Sequence, residues 1–149
     1  MTFVVITTIS KALLISLIYA GAASALFECN KDQHAFPPTR GKFVVHYASI
    51  RDTDFNGLPW VRICRPNDGT WTDVQPLQVP CNNSPTSLST GKTGLKHPLS
   101  VTNGNGCNAK SSNLDGASIA YNGQVAVLQA SGGKCGDRDH GISCEFDLD

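Results

Sequence analysis

Residues 117–130 read ASIAYNGQVAVLQA, two short apolar runs hinged on Asn122-Gly123. Asn-Gly is a pair that accepts positive φ at both central positions of a type I′ turn, whose twist matches that of paired strands. The stretch predicts a two-residue β-hairpin, with strands over 117–121 and 124–130, and it sets the expectation for the whole chain. Working outward, residues 142–148 (ISCEFDL) alternate strictly. Ile142, Cys144, Phe146 and Leu148 point one way and Ser143, Glu145 and Asp147 the other, as in a half-buried strand. Residues 42–50 (KFVVHYASI) are β-branched and aromatic; after a polar turn over 51–57, residues 60–65 (WVRICR) read as a second strand. Asn67-Asp68-Gly69 turns the chain into a third, over 70–74. No stretch carries a helical period. The fold class expected is mainly β, a small disulfide-stabilised antiparallel sheet or sandwich. The alternative is α+β, with a sheet packed on one or two short helices.

Between these β regions, residues 80–116 are rich in Asn, Ser, Thr, Gly and Lys. They offer too little apolar surface to fold alone, and a loop of this length inside a compact domain is unusual. The segment is expected to be a long polar loop pinned by Cys81 and Cys107, with room for a short helix. Replacement of 84–96 is expected to leave the fold intact.

The N-terminus frames the rest. Residues 1–25 have an apolar core with Lys11 as the only charge and close on Ala23-Ser24-Ala25. That is the layout of a secretory signal peptide with a small-x-small cleavage site. The apolar run after Lys11 falls short of the ~20 residues of a bilayer span. The expectation is a signal peptide over 1–25, one secreted domain over 26–149, and no membrane span. All six cysteines (Cys29, Cys64, Cys81, Cys107, Cys135, Cys144) follow the expected cleavage point. An even number in a short exported chain points to three disulfides, although the spacing leaves all 15 pairings open. Zinc needs paired ligands such as C-x2-C, and none is present. With 12 basic and 12 acidic residues, scattered along the chain, there is no electrostatic footprint for nucleic acid.

Catalytic motifs are missing: there is no HExxH and no G-x-S-x-G. His46 and Glu145 are the candidates for an acid–base pair of ribonuclease type, with a structural role for His46 expected instead. Trp60, Trp71 and Tyr47 are expected to anchor the core, a carbohydrate-stacking platform being the alternative. Asp52, Asp54 and Asn56, followed by Gly57, reproduce the D-x-D-x-N-G opening of a calcium loop, but Ile63 stands where a bidentate Glu is needed. The expected reading is an acidic turn, with Asp52, Asp54 and Asn56 as calcium ligands in the alternative. Asn82-Asn83-Ser84 is an N-glycosylation sequon with Asn82 as acceptor.

A signal peptide, six cysteines, hairpins and no catalytic motif together resemble the small secreted cysteine-rich proteins of filamentous fungi, many of which act as effectors on a plant host. The resemblance implies an extracellular protein that acts on a host or cell-wall component. The missing catalytic motifs lead to the expectation of a non-enzymatic binding role without a cofactor, with 80–116 carrying recognition, since loops on a rigid stapled scaffold commonly do. A second, partial resemblance rests on Phe55-Asn56-Gly57 (F-x-G) and Asn82-Asn83-Ser84-Pro85-Thr86-Ser87 (N-N-x-x-T-S). These are similar to the two halves of a βγ-crystallin Greek-key motif, and residues 67–72 resemble that family's G-x-aromatic-T turn. Ile50 stands where the family carries an aromatic, and polar residues follow Leu88 where it continues as a strand. This likeness implies a calcium-binding or toxin-like module. A small secreted hydrolase or ribonuclease is the third expectation.

Overall fold

The computed structural model describes residues 41–52, 57–67, 70–82, 84–129, 134–138 and 141–149; of 65–67, 70–75 and 138 it describes the backbone. The expected signal segment, Cys29, Asp54 and Asn56 lie outside the described residues.

Among the described residues, nine strands form two antiparallel sheets. They are β1 (Lys42–Ala48), β2 (Trp60–Asn67), β3 (Thr70–Gln78), β4 (Thr86–Leu88), β5 (Leu99–Thr102), β6 (Ser118–Tyr121), β7 (Gln124–Val127), β8 (Cys135–Arg138) and β9 (Gly141–Asp147). The first sheet runs β3-β2-β1-β9-β8 and the second β4-β5-β6-β7. The mainly-β expectation holds in its sandwich form. The only helices among the described residues are one α-turn, α1 (Thr90–Thr93), and a 3-10 turn, Gly104–Cys107.

The hairpin that opened the reading is present. Tyr121 pairs with Gln124, and the turn residues take φ of 43° at Asn122 and 76° at Gly123. The core fills the space between the sheets. Phe43, Val45, Tyr47, Val61, Ile63, Cys144 and Phe146 come from one sheet, and Leu88, Leu99, Val101, Ile119, Tyr121 and Ala126 from the other. Phe43 bridges them, edge-on to Tyr121 at 4.7 Å and stacked on Phe146 at 5.5 Å.

Three expectations need correction. The segment 80–116 is not a loop: it contributes β4 and β5, half of the second sheet. Leu99 and Val101 point into the core between Ser100 and Thr102, an alternation of only four residues that surrounding Asn, Ser and Gly conceal. Replacing 84–96 would therefore remove β4 and the buried Leu88, Thr93 and Leu95, so a loss of stability is now expected in place of an intact fold. Second, β3 does not stop at Val74. Ile63 pairs with Val74 and Val61 with Leu77, so β3 carries one extra residue there. It passes Gln75-Pro76 as a bulge, a place where an edge strand accommodates proline. Third, Ser143 does not face water. It is 1% exposed, on the opposite face of the five-stranded sheet from the core between the sheets. Val44, His46, Ala48, Trp60 and Cys64 are buried on that face too.

Cys81 pairs with Cys107 and Cys135 with Cys144. Cys64 is also disulfide-bonded. The first bridge closes 80–116 on itself, where the expectation was that Cys81 and Cys107 pin the segment to the sheet. Beside the apolar packing of Leu88, Leu99 and Val101, a polar chain ties the segment to the five-stranded sheet: Tyr47 Oη donates to Asn103 Oδ1 at 3.0 Å, and Asn103 Nδ2 donates to the Pro80 carbonyl at 2.9 Å.

Candidate functional site

The two sides of the sandwich are closed differently. On one, the Gln124 side chain grips the Asp147 backbone. Its Nε2 donates to the carbonyl at 3.0 Å and its Oε1 accepts the N–H at 2.9 Å. Tyr121 Oη adds a bond to the Leu148 carbonyl at 3.1 Å. On the other side the edge strands β3 and β4 leave a cleft of about 460 Å³, lined by Trp60, Pro76, Leu77, Gln78, Leu88 and Lys92.

Local structure places each of these residues. The bulge at Gln75-Pro76 redirects the end of β3, so that Pro76 and Leu77 are half-buried and Gln78 stands at the exposed rim. Leu88, the last residue of β4, is buried. Lys92 sits in the last turn of α1, which Gly94 ends at φ 65° with its N–H on the Thr90 carbonyl. The helix is anchored by Thr93, fully buried, whose hydroxyl donates to the Ser89 carbonyl at 3.2 Å. That leaves the lysine on the exposed side. The cleft thus has an apolar floor and a rim of one amide and one ammonium.

Three other lysines, Lys42, Lys96 and Lys134, are neutralised. Lys42 meets Glu145 at 2.9 Å, and this hydrogen bond holds its ammonium above the usual lysine value. Lys96 pairs with Asp149, raising the lysine and lowering the carboxyl. Lys134 lies 3.7 Å from Asp147. Among the described residues no carboxylate pairs with Lys92.

Of the candidates named from sequence, Trp60 borders the cleft and the other described ones lie elsewhere. His46 is fully buried, its Nδ1 3.0 Å from Ser143 Oγ and its ring 5.4 Å from Trp60. Glu145 lies on the same sheet face but is occupied by Lys42. A substrate does not reach the His46 ring in this structure. Trp60 is 2% exposed and Tyr47 fully buried; Tyr47 anchors the core between the sheets, and Trp60 is buried on the opposite face of the five-stranded sheet; the Trp71 side chain lies outside the described residues. Asp52 accepts a hydrogen bond from Ser49 Oγ at 2.7 Å, and its N–H bonds the Ser49 carbonyl at 3.0 Å. It closes the turn after β1, as an acidic turn residue does. Asn82 is exposed beside the Cys81–Cys107 bridge, its Oδ1 accepting the Ser84 N–H at 3.2 Å.

Sequence reasoning named Trp60 and the 80–116 segment but missed Pro76, Leu77 and Gln78 and the cleft itself, because no motif joins two edge strands from different sheets. Pro76 was the one available signal, since a proline within a strand marks an edge. No protein family, curated protein or solved structure matches this chain.

Proposed function

We propose that the chain is a secreted, non-enzymatic binding protein that engages a host or cell-wall component through the cleft between β3 and the β4–α1 corner. The cleft carries the proposal: its volume of about 460 Å³ lies within the span of roughly 300–1,000 Å³ common to ligand sites, and it combines an apolar floor with few polar groups. Export is supported by the apolar stretch ending in Ala23-Ser24-Ala25 and by disulfides, which persist in oxidising compartments. Recognition by the 80–116 segment is retained in altered form, since Leu88 and Lys92 belong to it.

The test is a variant that fills the cleft from its exposed rim, Gln78→Trp. With circular dichroism and melting temperature unchanged, it should lose binding to cell-wall fractions and the biological effect. A fully active Gln78→Trp protein alongside a dead Glu145→Gln protein would favour a hydrolase. A calcium-dependent rise in melting temperature would favour the crystallin-like module, because a ligand of the folded state stabilises it.

A further inference from the structure

We infer that the cleft takes an amphipathic carboxylate, an aliphatic chain lodged against Pro76 and Leu77 with its anionic head at Lys92. This rests on the binding reading above and names its ligand class. The apolar lining is aliphatic except for Trp60, which is 2% exposed. It offers no open ring face on which a sugar or a planar aromatic would stack.

A peptide added as a further strand is the obvious competitor, because β3 and β4 are edge strands bordering the cleft, although β4, at three residues, is too short to template one. Pro76 lacks an N–H, and the bulge at Gln75-Pro76 interrupts the ladder at this place. Prolines and bulges are what blunt an edge against pairing. The occupant is therefore read by side chains. Lys92 brings a positive charge without a carboxylate partner and Gln78 an amide, a complement to a carboxylate and a poor one to an ammonium. At an exposed rim the ion pair favours the anion by up to about fivefold. Most affinity comes from the chain, up to about fourfold for each methylene buried.

The experiment is calorimetric titration of the full chain, disulfides intact, with hexanoate, octanoate and decanoate below their micelle-forming concentrations, and with decanol and decylammonium. Decanoate should bind tightest, with affinity climbing along the acid series. Decanol should bind about fivefold more weakly and decylammonium more weakly still. Lys92→Gln should bring decanoate down to the level of decanol, and Gln78→Trp should abolish all three. Equal binding of decanoate and decanol by the unmodified protein, or no binding of decanoate, overturns the inference. If decanoate fails while Gln78→Trp still removes cell-wall binding, the ligand class is wrong and the cleft reading stands. If decanoate behaves as expected while Gln78→Trp keeps the biological effect, the ligand class stands and the host-binding role falls.

Discussion

At the scale of single residues, Tyr47 joins most of the molecule's parts. Its ring is in the core, its hydroxyl reaches Asn103, and Asn103 reaches Pro80 beside the Cys81–Cys107 bridge. Burial, and then the charge of Asp52, push its phenol well above the ordinary value of 10.0. In the unfolded chain the phenol ionises near that ordinary value, whereas the folded chain keeps its proton. Above pH 10 the unfolded state therefore binds fewer protons than the folded one, and stability falls as pH rises by up to about 1.4 kcal/mol per pH unit. Tyr47→Phe should be less stable near neutrality by about 1–3 kcal/mol, since buried Asn103 loses its donor. It should also show a shallower decline between pH 10 and 11. Denaturant unfolding at pH 8, 10 and 11 measures both, and parallel declines would contradict the assignment. Gly106 serves the same contact. A β-carbon there would lie 2.0 Å from the Tyr47 hydroxyl, so Gly106→Ala should destabilise by about 1–3 kcal/mol through overpacking. In the sequence, Gly106 is one glycine among several in a polar stretch, and nothing local marks the partner 59 positions away.

At the scale of elements, legibility followed the length of the pattern and the strength of its punctuation. The hairpin at Asn122-Gly123 was readable because its turn chemistry is local and both strands are apolar. Gly123 has φ of 76° and open space around a would-be β-carbon, so Gly123→Val should cost about 1–3 kcal/mol through backbone strain alone. A clash-free site with no loss of stability would show that the turn relaxes. Strand β7, which this turn starts, ends the second sheet and leaves Val125 63% and Val127 52% exposed. Exposed apolar side chains on an edge invite association. Val127→Lys should reduce concentration-dependent light scattering while changing stability by no more than about 0.5 kcal/mol. β4 and β5 were unreadable for the opposite reason. Strands of three and four residues carry one or two inward positions each, too few for a period, and pairing of β4 with β5 and of β5 with β6, rather than local preference, makes them strands. The cleft shares that obscurity, because it exists only where β3 and β4 come together from separate sheets.

At the scale of the whole molecule, the bridges determine how far local damage spreads. Cys135 and Cys144 are directly opposed on neighbouring strands β8 and β9, with a sequence separation of 9, whereas Cys81 and Cys107 are separated by 26. Restricting the unfolded chain gains more from the larger loop, about 3.5 kcal/mol against about 2.6. The larger loop also encloses β4, α1, β5 and the 3-10 turn, and hence the Leu88 and Lys92 side of the cleft. The double substitution Cys81→Ser with Cys107→Ser should therefore destabilise more than Cys135→Ser with Cys144→Ser, and it alone should weaken binding at the cleft in the protein that remains folded. Equilibrium unfolding ranks the two variants. The reverse order would mean that native packing around β8 and β9, rather than loop closure, sets the contribution of each bridge. The cysteine count extends the argument to the third link. Four cysteines pair with one another and Cys64 is bonded, so peptide mapping without reductant should return Cys29–Cys64 beside the two pairs above. That bridge would tie the chain before β1 to β2, on the sheet face where His46, Trp60 and Ser143 are buried. Cleavage at Cys64 after selective reduction should then loosen that face first, read as earlier hydrogen exchange at Val44, His46 and Ser143 than at Ile119 and Tyr121. Uniform exchange across both sheets would show that the sandwich unfolds as one unit and that the third bridge acts only on the unfolded chain.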